Sequence, residues 1–497
     1  MDKSTIEVLI CGAGAAGLTL AIDLARRGIA FRLIEKLDGP FQGSRGKGIQ
    51  PRSQEVFEDL DVLDRLVAAG GLYPMQREYQ PDGSYYDKPV IEPQPPTATE
   101  PYHLPLMVPQ FLTESVLRER LAELGHRPHY GCELRGIEQD DSGVDATIVT
   151  SGKQETLRVD YLVGCDGGRS FVRHALDIDF PGKTLGIRAV VADLTLCGLN
   201  RDAWHCFGAD DMQAMISLCP LAGTELFQLQ APMPFEGDID ISIAGLNQMI
   251  KQRCKRDDIQ ISAIAWASVY VMNARLAEHY CKGRVLLAGD AAHTHPPTGG
   301  QGLNTSVQDA YNLGWKIAAV LRGAPESLLD TYEEERRPIA AQVLGMSTQL
   351  LEAAKRGNMQ RGREVNQLGV GYPDSSLAFE LPQRTKGLLA GDRAPDAPLC
   401  SAAGQQVRLF DLFKGPHWTL LAYETECRFL PRLNLRGYHI GPRDEMQDEQ
   451  GHVRQAYGLM DGDWVLVRPD GYIGAIIAQN DMSALESYLA RVGLFSA

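Results

Sequence analysis

The sequence predicts an α/β protein in three parts. These are a dinucleotide-binding βαβ unit at the N-terminus, a mostly antiparallel sheet inserted into that domain, and a small α/β domain at the C-terminus. Three observations predict it. A strand, a glycine-rich turn, a helix and a second strand ending on an acid occupy residues 6–35. A second strand–loop–helix joint, from Arg284 to Asn304, places another glycine-rich loop far down the chain. Between the two lies a long strand-rich block.

Ile6 to Cys11 is an apolar, β-branched strand running straight into Gly12-Ala-Gly14-Ala15-Ala16-Gly17. Leu18 to Arg27 carries a helical apolar pattern that Gly28 stops, and Ile29 to Glu35 is the next strand. Gly12 permits the tight turn, Gly14 lets backbone approach a pyrophosphate, and Gly17 lets helix pack on strand. Glu35 can accept from ribose hydroxyls, and Lys36 follows it.

Gly43-Ser-Arg45-Gly-Lys47-Gly48 comes next and leads into a helix start at Arg52. Arg45 can reach a flavin or phosphate, or it is a solvated loop arginine. Residues 73–105 are rich in Pro, Tyr and Gly and suit a lid or part of a substrate sheet. Gln110 to Leu124 is helical, with Gln110 and Arg118 near one face. Leu134 to Val149, broken at Asp140-Asp-Ser-Gly, and Thr156 to Val163 alternate like strands. Tyr161 to Gly164 then ends on Gly and Asp166, which either caps a helix or shares the role of Gly289-Asp290. Strands at 188–196, 214–218, 226–231 and 263–272 join residues 73–105 in an inserted sheet, and Gly283 to Ala288 is the return strand. Helices follow over 306–321 and 327–355. The second bears Glu333-Glu-Glu-Arg336-Arg337, read as a solvated or ion-paired face. On composition, residues 356–390 are a linker. The small domain follows at 391–497, with strands around Trp418 and Val465 and a final helix.

A chain of 497 residues exceeds one ordinary core, hence the several domains. A formal net charge of -15 argues against a nucleic-acid partner and against an anionic membrane surface. The 10 cysteines include no Cys-x-x-Cys pair, which argues against structural zinc and an exported disulfide framework. His293 and His295 have no evident third ligand, so no metal is expected and both read as structural loop histidines. Without a signal-peptide pattern or a membrane-length apolar run, a reducing cytoplasm is the expected setting.

Gly12-x-Gly14-x-x-Gly17 with Glu35, Asp166-Gly167, and Gly289-Asp290 leading to Gly299-Gly-Gln-Gly-Leu-Asn304 stand in order. Together they resemble the FAD-dependent aromatic hydroxylases, the single-component flavoprotein monooxygenases. Within these, the chain is similar to the phenol and pentachlorophenol hydroxylase branch and its aromatic-polyketide relatives. The resemblance spans essentially the whole chain and implies a thioredoxin-like tail, marked by Arg468-Pro-Asp-Gly-Tyr472. It also implies FAD as cofactor, NADPH or NADH as transient electron donor, O2, and a small aromatic or polyketide substrate. A homodimer is compatible with it.

The implied cofactor residues are Gly12 to Gly17, with Glu35 and Lys36 at the adenosine ribose. Arg45, Gln110, Arg118 and Asp166 follow, and Gly289-Asp290 serves the ribityl and pyrophosphate region. The backbone of Pro297, Gly300, Gly302, Leu303 and Asn304 lies beside the isoalloxazine. The implied chemistry is electrophilic hydroxylation by a flavin C4a-hydroperoxide, in a site that excludes water. A base near the substrate hydroxyl is expected. The stretch Pro220 to Gln230 lacks the polar pattern of simple phenol hydroxylases, so no catalytic residue is named.

Overall fold

The computed structural model describes residues 6–208, 211, 213–355, 361–429, 431–478 and 481–495. Val8–Cys11 is an interior strand of a five-stranded sheet whose middle strand is Tyr161–Gly164. It runs parallel to Phe31–Ile34 on one side and Tyr161–Gly164 on the other. Tyr161–Gly164 pairs in turn with Val285–Leu287, also in parallel. All four residues of Val8–Cys11 are buried, as an interior parallel strand covered on both faces requires. Helix Ala15–Arg26 makes the crossover. Gly17 is compulsory there, because a Cβ would lie 1.9 Å from the Gly12 carbonyl oxygen.

The expected Thr156–Val163 strand splits in two. Lys153–Val159 completes an antiparallel three-stranded sheet with Cys132–Asp140 and Gly143–Thr150. Tyr161–Gly164 turns away into the parallel sheet, because the Glu7 carbonyl captures the Asp160 and Tyr161 N–H groups.

The inserted sheet has eight strands and is antiparallel except where Met75–Tyr79 runs parallel to Ala203–Phe207. Two long strands, Gly182–Cys197 and Gln260–Leu276, form its spine. His293–Thr294 pairs with the end of Gln260–Leu276, so the second glycine-rich joint stitches the two sheets together. Within 73–105 the hairpin Met75–Tyr79 and Tyr85–Lys88 belongs to this sheet. One element of the block is a helix, Ile243–Cys254, where the sequence reading has strands alone. Ser242 caps it, and Leu246 and Ile250 seal it against Val190, Leu218 and Leu229. The cap and the i, i+4 apolar pair are visible in the sequence once a helix is looked for.

Helices Gly302–Leu321 and Asp330–Lys355 complete the nucleotide half. The first begins four residues before the expected Ser306, and Gly302 and Leu303 open its first turn. The tail forms a second eight-stranded sheet. Residues 356–360 of the expected linker lie outside the described residues, but Phe379–Leu381 pairs in parallel with Ile473–Ile477 at that sheet's edge. Part of the linker is therefore structured, and composition missed it because only the tail's partner strand makes it a strand.

In the charged run on helix Asp330–Lys355 the ion-paired alternative holds for Glu335 and Arg336. Glu335 and Arg336 are 2% and 0% exposed, so two of the run's five residues are paired in the core. Glu335 accepts from Lys316 Nζ at 2.7 Å, Asn312 Nδ2 at 2.7 Å and both terminal nitrogens of Arg468 at 2.6 and 2.8 Å. Arg468 also grips Asp470, which accepts from Trp315 Nε1 at 3.0 Å. Two acids and two bases therefore neutralise one another where the tail docks. Burial alone would raise the Glu335 carboxyl, but Arg468 and Lys316 hold it well below its ordinary value. Burial lowers the Lys316 ammonium to about 8 against the pull of Glu335.

Removing one partner of such a network leaves an uncompensated buried charge, at a cost of about 3–5 kcal/mol. Arg468→Met is expected to lower the thermal unfolding midpoint by several degrees. A midpoint unchanged in differential scanning calorimetry would show that the docking network does not support the fold.

Candidate functional site

A partly open cavity of about 400 Å³ lies where the parallel sheet, the inserted sheet and the Pro297 loop meet. The N-terminal turn brings Gly14, Ala15 and Ala16 to it, and the next loop brings Arg45. Gln110 and Asp290 line its middle, and Pro297, Gly300, Gly302 and Leu303 form one wall. Most of the residues singled out from the sequence thus converge, although they come from four separate stretches.

The three N-terminal glycines differ in what demands them. A Cβ on Gly12 would lie 2.3 Å from the Cys165 carbonyl oxygen, and φ there is +104°. Gly12 and Gly17 therefore serve packing. A Cβ on Gly14 would meet nothing closer than Glu114 Oε1 at 3.8 Å, so protein atoms do not require that glycine. The space left open faces the cavity. Gly14 is also the N-cap of Ala15–Arg26 and offers no side-chain cap; the Ala15 N–H acts on Glu114, and the next N–H groups of the helix are open to an anion.

Glu35 ends the second strand and steadies this turn. Its Oε2 accepts from Ala13 N–H at 2.9 Å and its Oε1 from Leu37 N–H at 3.0 Å. Lys36 is exposed and does not line the cavity. Gln110 opens helix Gln110–Glu123 and donates to Glu114 Oε1 at 2.8 Å. Arg118, two turns on, keeps one buried guanidinium nitrogen without a partner. Glu114 lies between them on the same face, and no role was read for it from the sequence. It is 1% exposed, and burial pushes its carboxyl up to about 7. The spacing of Gln110, Glu114 and Arg118 is the signal that can find it.

Asp166 takes the capping reading. Its Oδ2 accepts from Val172 N–H at 3.1 Å while Ser170 Oγ accepts from Arg173 N–H at 2.9 Å. Its neighbours Cys165 and Gly167 line the cavity in its place. Its other carboxylate oxygen is buried without a partner.

The Gly289-Asp290 turn is held from behind by Asp309. This carboxylate accepts from Gly289 N–H at 3.1 Å, His293 Nε2 at 2.6 Å and Arg336 Nε at 2.8 Å. Gly289 is therefore shape rather than contact, and Asp290 is left exposed to the cavity. His293 is 2% exposed and committed to Asp309. His295 lines the cavity, and burial with His293 nearby pushes its imidazole down to about 4, so it is neutral. The Asn304 side chain is a clamp. It accepts from Gln50 N–H at 2.8 Å and donates to the Gly48 and Gly300 carbonyls at 2.9 and 2.8 Å, fully buried. The far wall comes from the inserted sheet and its approaches, with Lys47, Tyr73, Trp204 and Gln230. Among the described residues no cluster of three or more His, Cys, Asp or Glu can hold a metal.

Comparison with known proteins agrees with this geometry. Residues 5–347 match the family described as FAD binding domain. A flavin-dependent monooxygenase of Mycobacteroides abscessus is 40% identical over 495 residues, covering 98% of this chain and 100% of that protein. The 6-methylpretetramide 4-monooxygenase of Streptomyces rimosus is 32% identical over 546 residues, covering 98% and 94%. The crystal structure of the flavin-dependent monooxygenase PieE with FAD and substrate superposes with a TM-score of 0.86. That structure is 23% identical, over 99% of each chain, and so is similar in fold.

Glu114 sets a pH dependence. Its raised carboxyl is neutral below about 7 and charged above it, beside the space at Gly14. Affinity for FAD is expected to fall as pH rises through neutrality, and Glu114→Gln is expected to flatten the profile. Flavin-fluorescence titration of both proteins checks this, and parallel profiles would refute it.

Proposed function

This chain belongs to the FAD-binding-domain family of flavin-dependent monooxygenases, and from that premise we propose that its substrate is a polycyclic phenol of the polyketide type. The enzyme is an FAD-dependent aromatic hydroxylase that takes electrons from NAD(P)H and oxygen from O2. The observation that carries the substrate reading is the lining of the cavity. Besides the Pro297 loop, the partly open cavity of about 400 Å³ is lined by the aromatic rings of Tyr73 and Trp204 and by Val90 and Ile91 of an irregular segment. Aromatic and aliphatic side chains on the wall of a cavity this large suit a fused ring system. The similar protein of Streptomyces rimosus is named for a pretetramide.

The residues present fit FAD. The uncapped helix N-terminus and the empty space beside Gly14 suit a pyrophosphate. Gly14 to Ala16 would bind it, and Glu35 would take the adenosine ribose. Arg45, Gln110 and Arg118 would hold the phosphates, and Asp290 the ribityl hydroxyls. Pro297, Gly300, Gly302 and Leu303 would flank the ring, with Gly12, Gly17, Asp166, Gly289 and Asn304 setting the shape. Bound FAD supplies electron transfer from NAD(P)H and activation of O2. The chain's own part is to place the substrate ring against the Pro297 loop and to exclude water with Tyr73, Trp204 and Val90. Neutral His295 adds no charge to that wall.

The proposed domain limits follow the sheets except at two strands, His293–Thr294 and Phe379–Leu381, which pair across them. Residues 1–72, 106–180 and 276–355 make the FAD-binding domain, and 73–105 with 181–275 the substrate domain. Residues 391–497 make a thioredoxin-like tail. Its support is a parallel pair, Trp418–Tyr423 and Leu435–Ile440, then the antiparallel Trp464–Val467 and Ile473–Ile477, then helix Met482–Arg491. Its cysteines, Cys400 and Cys427, are both free, so its role is docking rather than disulfide exchange.

The test is oxidation of NADPH and of NADH by the FAD-loaded enzyme with phenol, pentachlorophenol and a tetracyclic aromatic polyketide. The tetracycle is expected to stimulate oxidation roughly tenfold over the monocycles and to gain one oxygen atom from labelled O2 by mass spectrometry. Preference for a monocyclic phenol would overturn the substrate reading.

A further inference from the structure

The substrate end of the cavity holds cations that the protein does not neutralise. Lys47 is only 8% exposed. Its ammonium donates to Gln228 Oε1 at 2.7 Å and sits 4.2 Å from the Trp204 ring centroid. Among the described residues no carboxylate lies within 4.0 Å of it. Gln228 has nothing more to give, because its Oε1 also accepts from Gln230 Nε2 at 2.8 Å and its amide donates to Ser44. Asp193, a carboxylate that Lys47 acts on, is itself engaged by Ser44 N–H at 2.8 Å and by Ser44 Oγ. Arg361 lines the same cavity, donates through Nε to the Thr298 carbonyl at 3.1 Å, and likewise has no described carboxylate within 4.0 Å. Trp204 Nε1 is a buried donor without a partner.

Burial of a charge without a counter-ion is expensive, so a ligand that brings the missing acceptor is favoured. Burial already holds the Lys47 ammonium below its ordinary value. Besides Asp193, Lys47 faces Cys219, which also shares a side-chain hydrogen bond with it, then Cys206 and Arg361, and Tyr73 acts on Arg361. Burial raises both thiols and the phenol, which keeps them neutral and leaves the two cations as the charge.

We propose that Lys47 and Trp204 Nε1, with Arg361 adding charge, form a receptor for the anionic oxygen of the aromatic substrate, a phenolate or enolate. This rests on the substrate reading above. The location favours substrate over cofactor. Gln228 and Trp204 belong to strands Phe227–Met233 and Ala203–Phe207 of the inserted sheet, whereas the anion-receptive helix start at Gly14 belongs to the other sheet. The hydroxyl proton goes to solvent, and the oxygen keeps its electron pair. The ring carbons ortho and para to it become richer in electrons, as electrophilic hydroxylation needs. Lys47 is thus a specificity-determining residue that favours the ionised substrate.

The probe is alizarin, a hydroxyanthraquinone whose anion absorbs to the red of its neutral form, titrated against FAD-loaded enzyme across neutral pH. Bound dye is expected to ionise at least about one pH unit below free dye. Lys47→Met is expected to abolish that shift and weaken anion binding about tenfold, and Lys47→Arg to restore most of it. If Lys47→Met does not retain FAD, Trp204→Phe removes the N–H donor together with the five-membered ring of the indole and is expected to reduce the shift. Wild-type enzyme that fails to bind the dye, binds it without a shift, or keeps the shift in these variants overturns the receptor. Turnover of the tetracycle, scored separately, judges the substrate reading by itself.

Discussion

Asp309 sits in the middle of helix Gly302–Leu321 with its carboxylate fully buried, and three other segments hang on it. It accepts from the Gly289 backbone, from His293 and from Arg336. Burial opposes its ionisation, but His293 and Arg336 overcome that and hold it below its ordinary value. The return strand Val285–Leu287 therefore ends in one defined turn, which presents Asp290 to the cavity and hands the chain to the inserted sheet at His293–Thr294. That carboxylate ties the joint between the two sheets to the helix behind it.

The cavity so formed is electrically graded. At one end the uncapped start of Ala15–Arg26 offers backbone N–H groups. At the other, Lys47 and Arg361 offer unpaired positive charge. One end suits the phosphates of a dinucleotide and the other an oxyanion on a ring. A net charge of -15 for the whole chain hides this local reversal. Charge placed in a low-dielectric cleft acts far more strongly than charge on the surface.

The tail is fastened by the same means. Arg468 and Asp470 meet Glu335 and Lys316 in a closed four-charge cluster, and Arg393 reaches Glu55 at 2.9 Å. Arg336 also donates to the Tyr372 hydroxyl at 2.9 Å, so one helix carries both the site's support and the tail's anchor.

The sequence by itself determined the nucleotide half. Gly12, Gly14 and Gly17 have local conformational meanings that hold in any context, and the flanking strands and helix are short-range patterns. The same holds for the Gly289 to Asn304 stretch, whose residues largely reach the cavity as expected. Only the tertiary structure decided which charges are internal. From the sequence Glu335 and Arg336 read as either solvated or ion-paired, because their partners Arg468 and Asp309 lie far away in sequence. Lys47, Glu114, Gln228 and Trp204 carry no motif, and their meaning arises from neighbours across two sheets. Glycine geometry is local and can be read along a chain, whereas the field around a buried charge is a sum over space.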